Sequence, residues 1–397
     1  MTTVETSAVL LLCAWLSFSV WPAAIAWTLY CLARQPRLGP CSGPSPETLV
    51  SIVVPVRNEA DRILARSIGS MEAQDHPDLE IIVVNDRSTD GTGLILRGLA
   101  DDLRRVRVID GSETPEGWLG KPHALAQGVA AASGEWILMT DADIVFHPSA
   151  VSAALRDASE NRSDALSLLP FQRLGGFFEQ LFLPAFAWFC VLARPLHRVN
   201  DPRTKTSFGS GNFFLVRREA LETVGGLDGV RDDVAEDLKL AALLKRAGRP
   251  YRAAYAPGLL ETRMYAGLSE VWEGFSKNLF SGMKFSVGRT LVGVFWIIVL
   301  GILPAALAIA AFAADRTELA LPLIATYFAQ VILFAIVRIY FGASVIYALL
   351  APFGFVMFAA ILLNSARRIL TGAGVEWKGR RIYEAGGIVP PKDRSGH

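Results

Sequence analysis

The sequence predicts an α/β domain on a mainly parallel sheet, held between apolar segments that cross a bilayer at the N-terminus and near the C-terminus. Three observations carry this reading. Apolar, β-branched runs at 49–56, 79–84, 106–109 and 136–139 alternate with amphipathic stretches at 59–71, 92–103 and 122–132, the pattern of strand–helix–strand units. Polar clusters close those runs: Arg57-Asn58-Glu59, Asn85-Asp86 and Asp141-Ala142-Asp143. Ligands of such sheets bind beyond the carboxyl ends of the strands. Finally, 52% of the 397 residues are hydrophobic, and the excess gathers at the two ends of the chain.

Residues 7–33 are almost uncharged and long enough to span a membrane. The run is too long for a secretory h-region and lacks a basic n-region, so a retained anchor fits better than a cleaved signal. Glu5 precedes it and Arg34 and Arg37 follow, which places the next segment in the cytoplasm by the positive-inside rule. Residues 1–46 are thus read as anchor and Pro/Gly-rich linker, and 47–265 as the catalytic domain. An amphipathic interfacial helix follows at 266–289, a transmembrane region at 290–366 and a basic tail at 367–397. Three apolar segments at 290–314, 318–337 and 343–365 are joined by short connections that suit helical hairpins. One plus three crossings would leave the tail outside, whereas Arg367, Arg368, Lys378, Arg380 and Arg381 favour the inside. The last segment, with Pro352 and Gly354, is a candidate re-entrant element, and the number of crossings stays open. The strongly apolar 175–194 stretch contains Glu179, Pro184 and, just beyond, Pro195. It is read as a helix in the membrane interface, because the motifs on either side must share one compartment.

Several classes are disfavoured. With 39 basic against 38 acidic residues, no global field favours nucleic acid. Cys13, Cys31, Cys41 and Cys190 have neither zinc-ligand spacing nor a disulfide pattern. The first strand–helix turn, Pro55-Val56-Arg57-Asn58-Glu59, has no glycine, which removes both the dinucleotide turn and the phosphate loop of nucleotidyl and phosphoryl transfer enzymes. A metal is the natural alternative for holding phosphate.

Asp141 and Asp143 supply two hard oxygen ligands one residue apart, suited to Mg²⁺ or Mn²⁺ bridging a diphosphate. An isolated Asp-x-Asp is more often an Asx turn closing a strand; at the end of a central strand, beside two other polar clusters, the metal reading is preferred. Asp86 can accept hydrogen bonds from a base or ribose, while Asp90, before Gly91-Thr92, is read as structural. Lys121 precedes Pro122, which favours the first helical position. Lys121 is therefore expected at the N-cap, where a cation costs about 0.3–1 kcal/mol unless an anion such as a diphosphate relieves it. Asp233 and Glu236 match a capping box, and Asp237, left over from the cap, is the candidate general base. Only one of Glu236 and Asp237 is expected to aim squarely at a ligand. Gly209-Ser210-Gly211-Asn212 would let a backbone approach a sugar through Gly211 and Asn212, although a plain turn fits the local sequence equally well. Lys277 and Asn278, on a second amphipathic helix at 268–285, suit either a phosphate contact or an interfacial anchor.

Taken in order, Val53-Val54-Pro55-Val56-Arg57-Asn58-Glu59, the 84–92 segment with Asn85-Asp86, Gly117-Trp118-Leu119-Gly120-Lys121, Asp141-Ala142-Asp143 and Glu236-Asp237 resemble the family 2 glycosyltransferases with a GT-A fold. Each motif is weak alone, but the ordered set over about 190 residues is specific. The anchor, the multi-span tail and Trp377-Lys378-Gly379-Arg380 look most similar to the branch that acts on lipid acceptors such as carotenoids or hopanoids. The resemblance implies that Pro55, Val56, Arg57, Asn58, Glu59 and Asp86 hold the nucleotide, with Lys121 near ribose or phosphate. It further implies that Asp143 binds the metal, Asp141 faces ribose or metal, and Asp237 is the base, with Glu236 close to acceptor or sugar. The Gln-x-x-Arg-Trp motif of processive synthases is missing; Ser276-Lys277-Asn278 occupies its neighbourhood. The expected activity is inverting transfer of one sugar from a nucleotide-sugar, UDP by analogy, to a membrane lipid. The rival is a non-catalytic membrane component that binds nucleotide or lipid in a glycan export system; loss of a carboxylate motif would be its signature, and none is lost.

Overall fold

The computed structural model describes residues 3–41, 43, 45–377 and 380–384. Lys378, Gly379 and the residues beyond Glu384, all within the expected basic tail, lie outside them. In chain order the first elements are α1 (Thr3–Ala33), β1 (Val50–Val56), α2 (Leu64–Glu72), β2 (Leu79–Asn85), α3 (Thr92–Asp102), β3 (Val106–Asp110), α4 (Gly120–Ala131), β4 (Trp136–Met139) and β5 (Ile144–Phe146). Next come α5 (Ala150–Glu160), β6 (Ala165–Leu169), β7 (Phe171–Gln172), α6 (Phe177–Ala193), α7 (Leu196–Val199), β8 (Phe214–Arg217), α8 (Arg218–Thr223), α9 (Glu236–Arg246), β9 (Tyr251–Tyr255) and β10 (Leu260–Thr262). The rest is helical, with α10 (Gly267–Gly282), α11 (Val287–Trp296), α12 (Leu303–Ala313), α13 (Thr317–Tyr340) and α14 (Ala351–Leu370), followed by a hairpin of β11 (Ala373–Trp377) and β12 (Arg380–Glu384).

The main sheet has the order β3-β2-β1-β4-β8-β6-β9. Its β1, β2, β3 and β4 run parallel, and β8 lies antiparallel between β4 and β6. Strand β1 is apolar apart from Ser51 because both faces are covered. Ile52, Val54 and Val56 pack with Leu64, Ile68 and Met71 of α2, while Val53 packs with Leu125 of α4 on the other side. Gly128 permits that second contact, since a Cβ there would stand 2.3 Å from Val53 Cγ1. A small second sheet, β5-β10-β7, extends the domain toward the helices.

Helix α2 begins later than the apolar periodicity suggested. The backbone of 58–60 is engaged elsewhere: Asn58 has φ 49, the Glu59 N–H donates to Thr92 Oγ1 at 2.8 Å and the Ala60 N–H to Asp90 Oδ2 at 3.1 Å. Asp90 is structural, as expected, with its other oxygen accepting from the Thr92 N–H at 2.9 Å.

Among the described residues, five helical stretches are long and apolar enough to cross a membrane: 8–33, 177–199, 287–313, 317–340 and 345–370. Helix α1 lies along α13, and α12 pairs with α13. Leu16, Leu291, Ile309, Phe312, Leu321 and Ile339 are exposed on these helices, the face that lipid would cover. Inside, Trp21, Phe182, Trp188, Phe334 and Phe355 form one apolar core, so α6 is packed against α1, α10 and α14. Pro352 does not interrupt the last segment. It falls in the first turn of α14, where a missing N–H costs nothing, and a 3₁₀ stretch at 345–350 leads into it.

Candidate active site

The carboxyl ends of β1, β2 and β4 place three polar segments on one edge of the sheet. At the first two, the loops are knitted together. Arg57 Nη1 donates to the carbonyls of Asp86 and Arg87 at 2.7 and 3.0 Å. The Asn58 N–H donates to Ser88 Oγ at 3.2 Å, and Asn58 Oδ1 accepts from the Thr89 N–H at 2.9 Å. Asp86 and Glu59 are both buried. Backbone and side chains from two strand ends thus form a fixed floor, with Pro55 and Val56 in the strand behind it.

The second group surrounds Lys121. Its Nζ lies 2.6 Å from Asp141 Oδ1 and 2.7 Å from Glu236 Oε1. Asp237 Oδ2 accepts from the Gly211 N–H at 2.6 Å, and Oδ1 from the Leu238 N–H at 2.7 Å. Gly211 must be glycine-sized here, because a Cβ would stand 2.8 Å from Lys121 Nζ and 3.2 Å from Asp141 Oδ2. Segments from α4, β4, the 209–212 loop and α9 therefore meet around one ammonium. Burial works against the Lys121 charge, but Asp141, Glu236 and Asp237 outweigh it and hold the amine well above the ordinary lysine value. Burial, then the Glu236 carboxylate, pushes Asp237 up to about 7, against the pull of Lys121 and two backbone N–H groups. A carboxyl poised there matches the task of a general base near neutral pH.

Two local expectations are corrected. The N-cap of α4 is Leu119, in extended conformation, which puts Lys121 second in the helix and Pro122 third. Proline is tolerated there because first-turn N–H groups have no helical partner, and the lysine's charge is met by carboxylates rather than left to oppose the dipole. No capping box forms at α9: the N-cap is Ala235, without a side-chain cap, and Asp233 Oδ1 accepts from the Ala235 N–H at 3.0 Å. A charge-assisted pair with Lys121 outcompetes the neutral N–H for Glu236. As a result Glu236 and Asp237 both face the small cavity beside Lys121 and Gly211, where only one of them was expected to point.

Asp143 lies beyond Ala142 in the turn into β5. Its carbonyl accepts from Thr262 Oγ1 at 3.0 Å, and its Oδ2 is 3.8 Å from Arg62 Nη1. Arg62 also pairs with Glu270 at 2.7 Å and lies 3.6 Å from Glu59, bridging the floor after β1, Asp143 and α10. The Glu59–Arg62 spacing of three was a signal that could have exposed this residue. Tyr265 was not legible. It is buried against Gly274 of α10, and burial, then Asp143 and Asp141, raises its phenol above the usual range. Lys277 is half-buried on α10, in the turn after Gly274. Among the described residues no group of three or more His, Cys, Asp or Glu side chains forms a ready metal cage. Asp141 and Asp143 suit a cation that takes most of its shell from water and donor phosphate, as Mg²⁺ does.

Residues 51–225 match the sequence model of Glycosyl transferase family 2. Over that stretch the chain resembles the family 2 glycosyltransferases. It is 26% identical over 337 residues to the 4,4'-diaponeurosporenoate glycosyltransferase of Staphylococcus aureus strain USA300, covering 84% of this chain and 88% of that one. The enzyme of the same name from strain MRSA252 is 25% identical over the same length. Among solved structures, the mannosyltransferase PcManGT of Pyrobaculum calidifontis, in complex with GDP-Man and Mn²⁺, superposes with a TM-score of 0.50 at 20% identity. That likeness covers 91% of this chain and 99% of that structure and establishes the GT-A fold.

Proposed function

We propose that this glycosyltransferase moves a single sugar from a nucleotide-sugar, most simply a UDP-sugar, to a membrane lipid, with inversion at the anomeric carbon. The observation that carries the reading is the meeting of Asp141, Lys121, Glu236 and Asp237 around Gly211, beside helices long enough to cross a bilayer. Arg57, Asn58, Glu59 and Asp86 would seat the nucleoside. Asp141 and Asp143 would hold Mg²⁺ or Mn²⁺, which when bound neutralises charge on the departing diphosphate.

The chain's own residues do the rest. Gly211 and Leu238 N–H groups fix the Asp237 carboxylate, which takes the proton from an acceptor hydroxyl. The acceptor oxygen bonds to the anomeric carbon as the bond from that carbon to the phosphate oxygen breaks, and the electron pair leaves with the nucleoside diphosphate. Lys121, a neighbour of Asp141, adds positive charge at the same corner. The S. aureus relatives are named for a carotenoid acid, which supports a long apolar acceptor here; a carboxylate acceptor would need little help from Asp237. Arg34 and Arg37 behind the first span favour a cytoplasmic catalytic domain.

The test is a screen of nucleotide-sugars on membranes containing the protein, with mass spectrometry of the lipid extract. A lipid gaining one hexose-sized mass from one donor is expected, with transfer lost in EDTA and restored by Mn²⁺ or Mg²⁺. Sugar incorporated only into water-soluble or polymeric product contradicts the proposal.

A further inference from the structure

A cavity of about 180 Å³ lies between α6 and the catalytic domain. One wall is a stripe of α6, Pro184, Ala187 and Val191, spaced so that they share a helix face. Aromatic side chains, among them Phe208 and Phe275, make the lining mostly apolar. Engineered apolar cavities of roughly 150 Å³ admit a benzene-sized molecule, so this one accommodates a short piece of an apolar chain, and the remainder of such a molecule would continue outside it along α6.

The cavity backs directly onto the catalytic corner. Ser210 and Asn212 line it, whereas Gly211 between them lines the small cavity beside Lys121 and donates to Asp237. Met264 lines it too, and the next residue, Tyr265, senses the charges of Asp143 and Asp141. Two separate segments thus present one residue to the cavity and its neighbour to the carboxylates.

Asn212 is the polar feature that points to a ligand. It is only 5% exposed and lines the cavity, its backbone held there by accepting from Thr140 Oγ1 at 2.6 Å. Gln172 also lines the cavity, and its Oε1 is buried without a partner. Leaving a buried amide oxygen unpaired is costly, and an apolar lining offers it nothing.

We infer that this cavity holds the reacting end of the acceptor: the terminal segment of a slender apolar chain, whose end oxygen, hydroxyl or carboxyl, bonds to Asn212 next to Asp237. The inference rests on the lipid-acceptor reading and makes it specific, because a slender chain end fits where a bulky fused-ring end does not.

The test uses the full-length protein in detergent micelles and cis-parinaric acid, a polyene fatty acid that quenches tryptophan by energy transfer. Saturable quenching is expected for the unsubstituted protein. Ala187→Phe, which fills the cavity, should weaken binding at least about ten-fold, and Leu291→Phe, on the exposed face of α11, should leave it unchanged. Asn212→Ala should weaken it about ten-fold, the loss expected for one hydrogen bond to a charged group. Binding by Ala187→Phe equal to that of the unsubstituted protein overturns the site, and an unaffected Asn212→Ala overturns the placement of the polar end. The lipid-acceptor reading fails on a different result, the absence of any glycosylated lipid with every donor; polyene binding lost in Ala187→Phe would then leave the cavity standing as a binding site.

Discussion

On the proposed function, the chemistry turns on two adjacent carboxylates beside one ammonium. Glu236 bonds Lys121 directly, while Asp237 is held by backbone N–H groups and feels Glu236 as a like charge. The sign for activity follows. A general base must be ionised, so with Asp237 up at about 7, kcat/KM should fall as pH drops through that value and level off above it. Glu236→Gln removes the like charge, which lowers the Asp237 pKa and should move the acidic limb of the pH profile to lower pH. An unmoved limb would mean that another group governs it. A neighbouring position tests how tightly the base is held. A Cβ on Gly209 would stand 2.3 Å from the Asp237 carbonyl oxygen, so Gly209→Ala must displace the start of α9. Overpacking of this kind costs roughly 1–3 kcal/mol, and a melt of the purified variant should show the loss together with a drop in transfer. At this scale the sequence singled out Lys121, Asp141 and Glu236, which the fold brings together. It misled where local rules met distant charge: Lys121 and Glu236 find each other from α4 and α9, and no capping rule contains that pairing.

At the level of elements, α6 decides how the membrane half meets the catalytic half. Its Glu179 is completely buried. It accepts from the Gly175 and Gly267 N–H groups at 2.7 and 3.0 Å and pairs with Arg263 at 3.0 Å. That clamp fixes the start of α6 to the segment that carries Met264 and Tyr265, and through it to the start of α10. Glu179→Gln keeps the shape but gives up the charge, so about 1.5–3 kcal/mol should be lost, read as a lower melting temperature in detergent; an unchanged melt would show the clamp to be dispensable. The strand–helix alternation up to β4 was legible because burial on both faces writes itself as continuous apolar runs. The antiparallel insertion of β8 between β4 and β6 was not, since strand order depends on contacts that local periodicity does not encode. A lone glutamate in an apolar stretch likewise gave no hint of its partner, 84 residues further along the chain.

Across the whole molecule, a GT-A domain and a bundle of apolar helices share a boundary, with the catalytic corner on one side of the 209–212 loop and a largely apolar cavity on the other. On the proposed function, this arrangement lets a donor dissolved in water and an acceptor dissolved in lipid reach the same carboxylate from opposite directions. The central claim is that Asp237 is the group that activates the acceptor. Its most direct test compares Asp237→Asn with the unsubstituted protein in two assays on the same preparation, donor binding by calorimetry and sugar transfer to the lipid extract. Donor affinity should stay within a few-fold while transfer falls by about 10²–10⁴. Transfer to a hydroxylated lipid at the unsubstituted rate would contradict the account.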